Sequence, residues 1–209
     1  MSAPAFQSHF ARLVIDPDFR DDVRSRGNEA LAADLSALER DRLLAVASDP
    51  GLDVTRTLHK GFRLSKLVGQ LPLTCAALGK EALSREVAEF WRRNPPVSFY
   101  YLAEAVSFCD FLAARIEEGM EPPTPYLAEV AAWERAGLLL QRPRPEGEPP
   151  PHQIVEFAHD PLPLLSALGR GEVPDLADRP CLMIGGCYEG GKVEWRLVED
   201  LPAARTKNE

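Results

Sequence analysis

The sequence predicts an α+β chain: an all-helical N-terminal domain, then a small C-terminal three-stranded antiparallel sheet with one helix. Three observations carry this. Apolar residues recur at helical spacing from Phe6 to Leu140. The stretch Arg142 to Pro151 has no apolar side chain except proline and reads as a stiff connector. Beyond it the period becomes that of strands. The expected boundaries are 1–141 for the helical domain, 142–151 for the connector and 152–209 for the small domain.

Phe6, Phe10, Leu13 and Val14 share a helical face, and Asp16-Pro17 starts a second helix with a cap and a first-turn proline. Ser36 and Glu39 have the spacing of a capping box for a helix carrying Leu38, Leu43, Leu44 and Val46, which Asp49-Pro50-Gly51 ends. Residues 52–69 continue helically. Leu58, Phe62, Leu64, Leu67 and Val68 form the expected apolar face. Arg56, His59, Lys60, Arg63 and Lys66 form a basic stripe opposite, read as a solvated face or as a docking surface for an acidic partner. A short helix over 70–79 stops at Gly79. The next, 80–93, stops at Asn94-Pro95-Pro96, since consecutive prolines cannot continue it. Ser98 is expected to cap a helix to Gly119, and Thr124-Pro125 one to Gly137. Short connections between these helices imply antiparallel packing.

In the C-terminal part, His152–Ala158 reads as a strand and Asp160-Pro161 as the start of a helix carrying Leu164, Leu165 and Leu168. Cys181–Ile184 is a second strand, with Gly185-Gly186 expected to loosen it and Glu189-Gly190-Gly191 to turn it back. Lys192–Val198 alternates, with Val193, Trp195 and Leu197 on one face. The sheet is expected to be backed by the 161–169 helix. Its two edges would offer unpaired backbone groups to an extended peptide.

Net charge is −8, which argues against binding to a phosphate backbone. No stretch is long and apolar enough to span a bilayer, and the N-terminus lacks the basic-then-apolar pattern of a signal peptide. A cytoplasmic protein is therefore expected, with its four cysteines reduced. Cys75 and Cys109 read as small buried residues. No Cys pair has metal-ligand spacing, and the four histidines are scattered. His152 and His159 flank one strand and point to opposite faces. Phosphate-binding, metalloprotease and nucleophile-elbow motifs are absent from the sequence. The residues favour a binding or scaffold protein over an enzyme.

Several spaced signatures lie in 70–140: Phe90-Trp91-Arg92-Arg93-Asn94-Pro95-Pro96-Val97-Ser98, then Phe108-Cys109-Asp110-Phe111-Leu112, then Pro125-Tyr126-Leu127-Ala128-Glu129-Val130-Ala131-Ala132-Trp133-Glu134. With the strand–helix–strand–strand order that follows, this resembles, over 70–199, the DUF2063-like small proteins that accompany multinuclear-iron oxidases of the DUF692 type. Within that group it looks most like the methanobactin-biosynthesis C proteins. The resemblance implies a heterodimer whose iron sits in the partner oxidase, with no cofactor in this chain. It also implies a ribosomal precursor peptide whose cysteines become oxazolone and thioamide groups, and no catalytic residues here. The small sheet would bind the precursor's leader by strand addition, through Ile154, Val155, Glu156 and Phe157 or through Val193, Glu194, Trp195, Arg196 and Leu197. The helical body would dock the oxidase, with Phe99, Tyr100, Tyr101 and Trp133 as candidate contacts. The family's typical tyrosine-glycine position reads Tyr101-Leu102-Ala103-Glu104 here, which leaves the exact pathway open. The wider family also carries a DNA-binding label, so a DNA-binding regulator is the alternative; neither nucleic acid nor membrane is the expected partner.

Overall fold

The computed structural model describes residues 3–94, 101–143, 149, 151–187 and 192–198. The chain divides into two compact units, Met1–Lys66 with Trp91–Phe99 and Leu67–Phe90 with Tyr100–Glu209. The connector expected at 142–151 falls inside the second unit, so it does not mark the division.

Helices begin where the sequence supplies caps. After α1 (Ala3–Ile15), Asp16 adopts extended geometry and accepts the Phe19 N–H at 3.0 Å, with Pro17 opening α2 (Pro17–Arg26). Past a 3-10 turn at Gly27–Ala30, the Ser36–Glu39 capping box opens α3 (Ala37–Ser48) with both reciprocal bonds made. Pro50 then starts α4 (Pro50–Gln70). Leu13, Phe19, Val23, Leu31, Leu35, Leu43, Ala47 and Leu52 form the core of this unit. Buried Arg20 ties its parts together. Its Nε donates to the Ala47 carbonyl at 3.0 Å, and its two terminal nitrogens grip the Asp53 carboxylate. That grip holds Asp53 below the usual carboxylate range.

Helix α4 departs from the expected orientation in part. Leu52, Arg63 and Leu67 are its buried positions, and the Arg63 guanidinium lies 4.5 Å over the Trp91 ring. Of the predicted apolar face Leu67 is covered, whereas Leu58 and Phe62 are 69% and 49% exposed and Leu64 and Val68 are also exposed; Val54, a turn earlier, is 61% exposed. A long Arg stem on an aromatic face packs as well as an aliphatic residue, so periodicity alone does not distinguish the two sides of this helix.

In the second unit, α5 (Pro72–Arg93) breaks at Gly79, whose φ of 68° and ψ of 167° make the stop expected there. Helix α6 (Tyr101–Glu117) sets Phe108 and Phe111 around Phe90, with ring centroids 5.2 and 5.5 Å away. Ser98, the expected cap, lies outside the described residues. Helix α7 (Leu127–Leu140) differs from expectation at both ends. Thr124 does not cap it, since its hydroxyl donates to the Ala77 carbonyl at 3.2 Å. Gly137 does not stop it, because ordinary helical geometry lets it stay inside the run.

The sheet has order β1–β2–β3, antiparallel throughout, with β1 at His152–His159, β2 at Asp178–Cys187 and β3 at Val193–Val198. The α+β class and the small C-terminal sheet are as expected. Helix α8 (Pro161–Gly169) starts at Asp160, which accepts the Leu162 N–H at 3.1 Å and pairs with Arg179. The element packed most extensively on the sheet, however, is α7 and not α8. Val155, Phe157, Cys181 and Met183 are buried on the α7 face.

Gly185 stays inside β2, opposite Trp195. A Cβ there would sit 2.7 Å from the Trp195 ring and 2.8 Å from Leu140 Cδ1. The glycine is thus a seat for the indole, not a loosening of the strand. Gly185→Ala is expected to lower stability by about 1–3 kcal/mol, the usual effect of overpacking. Thermal melts should show a drop of about 2–4 °C per kcal/mol. An unchanged melting temperature contradicts this packing.

Candidate functional site

The site is built around α7, which touches every part of the sheet's surroundings. Its Glu129 is buried and closes one end of β1: one carboxylate oxygen accepts the Ala158 N–H at 2.7 Å, the other takes the His159 Nδ1–H at 2.5 Å. One turn on, the Trp133 indole packs against Trp195 of β3, centroids 5.8 Å apart. Next to it, buried Glu134 accepts the Leu73 and Thr74 N–H groups at 2.9 and 2.7 Å. These are first-turn donors of α5 without intrahelical partners, so Glu134 caps that helix from another element. Burial raises the Glu134 carboxyl above its ordinary value even though these bonds oppose the shift.

The hydrogen-bond phase of the sheet follows from two bonds. Cys187 N–H donates to the Pro151 carbonyl across β1–β2, while Ala158 N–H turns away from β2 to Glu129. In an antiparallel pair successive residues alternate between facing the partner and facing the free edge. With the observed register, Val155 and Phe157 bond to β2, and Ile154 and Glu156 face the outer edge of β1. On the other side Glu194, Arg196 and Val198 bond to β2. Val193, Trp195 and Leu197 therefore turn their N–H and C=O groups to the outer edge of β3. Among the described residues nothing pairs with them.

Each edge borders a depression. Beside β1 a groove of about 830 Å³ is lined by Ile154 to Ala158 and by Ala128, Glu129 and Ala132 of α7. Beside β3 a cavity of about 580 Å³ lies among Trp133, Gly137, Leu138, Leu73, Val193 and Trp195.

The sequence-predicted peptide residues thus separate by role. Val155 and Phe157 are buried against the helical layer, whereas Ile154 and Glu156 are exposed on the opposite face. Val193, Trp195 and Leu197 are half-buried on the inner face, and Glu194 and Arg196 are exposed. Of the predicted partner contacts, Phe99 and Tyr100 lie outside the described residues. Tyr101 begins α6, half-buried, and Trp133 is engaged with Trp195. Sequence reasoning missed Glu129 and Glu134, which read as ordinary helix carboxylates. It also missed the open face of α4. The one available signal was the helical spacing of Val54, Leu58 and Phe62, which does not say which side is covered.

The chemistry of the remaining groups is quiet. All four cysteines are buried and in the thiol form. Burial pushes the Cys75 thiol up to about 12 and the Cys109 thiol higher still, away from the thiolate. Among the described residues no group of three or more His, Cys, Asp or Glu is placed to hold a metal ion, and no helix is long and apolar enough to cross a membrane. No protein-family model matches the chain, and no curated protein matches it.

The Glu134 shift has a defined sign. A raised carboxyl keeps its proton in the folded state where the unfolded chain has released it. Its stabilising contribution is full below the ordinary value of 4.5 and is lost as pH rises through the raised folded value. The stability margin of wild type over Glu134→Gln should therefore be larger at pH 4 than at pH 7 in denaturant melts. A margin that grows with pH contradicts this.

Proposed function

We propose that the chain is a non-catalytic peptide-binding subunit of a heterodimeric iron-dependent oxidase. It recognises the leader of a ribosomal precursor peptide and supports conversion of its cysteines to oxazolone and thioamide, as in methanobactin-type copper chelators. The iron belongs to the partner, and the setting is the cytoplasm. The observation that carries this reading is the open main-chain edge of β3 at Val193, Trp195 and Leu197. A flexible leader gains affinity from main-chain pairing along such an edge and register from side-chain pockets beside it. The β1 edge is less suited, because Glu129 already takes the Ala158 N–H. The signatures across 70–140 support the oxidase partnership.

The uncovered apolar face of α4 supports a permanent partner, since contiguous exposed apolar surface marks interaction sites. Exposed Val54, Leu58 and Phe62 join Phe99, Tyr100, Tyr101 and Trp133 as the residues proposed to meet the oxidase. A DNA-binding role has less in its favour. The net charge is −8, and Arg63 of the basic stripe is buried under Trp91 rather than displayed.

Co-expression with the oxidase and precursor encoded beside it tests the proposal. The chain and the oxidase are expected to elute together, and modification of the precursor to require both. Leu58→Glu should weaken co-elution at least tenfold while changing the chain's own stability by no more than about 0.5 kcal/mol, as exposed substitutions do. A chain that binds neither oxidase nor precursor in calorimetry overturns the reading.

A further inference from the structure

The cavity beside β3 has features that backbone pairing alone does not explain. Two indoles, Trp133 and Trp195, form the aromatic walls of this space of about 580 Å³, Leu73, Leu138 and Val193 add aliphatic surface, and Gln70 and Gln141 also line it. That volume is within the range of ligand pockets, about 300–1,000 Å³. Glu134 also lines it, but both its oxygens are committed to Leu73 and Thr74, and burial already disfavours its charge. Trp133 keeps a buried indole N–H that has no acceptor among the described residues. A buried donor left without a partner is costly.

We propose that this cavity is a side-chain pocket that reads one large apolar residue, aromatic or branched aliphatic, of the captured strand. The inference rests on strand capture at β3. Trp195 turns its N–H and C=O to the free edge, so an added antiparallel strand places one residue directly opposite it, with that side chain on the same face. The inner face at Trp195 is the face that borders the cavity. The opposing side chain therefore lies in the cavity beside the packed Trp195–Trp133 pair, and the next inward residue lies opposite Val193. Trp195 both belongs to the edge that pairs with the peptide and walls the pocket that sets its register. Aromatic and aliphatic walls beside a carboxyl whose charge is disfavoured by burial select against a charged residue at that position.

Four fluorescein-labelled nonapeptides of alternating threonine and serine, with a central Phe, Leu, Lys or Ala, test this by fluorescence anisotropy. The Phe and Leu probes are expected to bind about tenfold or more tightly than the Ala probe, and the Lys probe no better than Ala. Gly137→Leu supplies a second reading. A Cβ at Gly137 meets nothing within 4 Å, and Gly137 lines the cavity, so a side chain added there narrows it. It should reduce the Phe-to-Ala ratio to below threefold without lowering the melting temperature, because leucine is the better helix former. Equal affinity for all four probes, or tightest binding of the Lys probe, overturns the pocket and leaves strand capture standing. Absence of binding by every probe overturns both.

Discussion

The second unit depends on one helix face laid against one sheet face. Along α7, Glu129 holds the end of β1, Trp133 holds Trp195 of β3, Glu134 caps α5, and Leu140 meets β2 at Gly185. A small three-stranded sheet has little stability of its own and needs a covering element. Here α7 is the helix packed most extensively on it, and α7 also anchors the helical layer. The glycine at 185 is what lets the contact close, since any side chain there would collide with both the indole and the leucine.

That arrangement makes the two sheet edges unequal. Glu129 uses its carboxylate on β1, partly closing that edge with a side chain. β3 is held by its ladder with β2 and by the ring contact of Trp195 on the inner face, so its outward backbone stays open. Function in the proposed sense follows from this asymmetry: neither interaction uses the outer main-chain edge. In the first unit the analogous asymmetry is on α4, where burying Arg63 over Trp91 leaves Leu58 and Phe62 outside.

Much of the fold was legible because local chemistry decided it. Asp16-Pro17, Ser36 with Glu39, and Asp160-Pro161 satisfy helix donors within a few residues, so the sequence neighbourhood contains the whole interaction. The alternation of Val193, Trp195 and Leu197 likewise fixes which side chains share a face. What depended on distant partners was not legible. Glu134 acts on residues sixty positions earlier, and nothing local distinguishes it from a solvated carboxylate. Gly137 reads as a helix end, yet glycine continues a helix when its neighbours are packed. Arg63 looks solvent-facing until an aromatic face is found for it. Two sheet edges open to an extended peptide are legible from the strand pattern, whereas which edge a side chain occupies depends on Glu129, contributed by a distant helix.

The central claim is that β3 presents an unpaired main-chain edge that a peptide strand completes. Residue-resolved amide hydrogen exchange measures this directly. In the free chain the amides of Val193, Trp195 and Leu197 are expected to exchange quickly while those of Glu194, Arg196 and Val198, bonded to β2, exchange slowly. Adding the leader peptide should slow the three fast amides and leave the other three little changed. Uniform protection along β3 in the free chain, or three fast amides indifferent to saturating leader, would contradict the account.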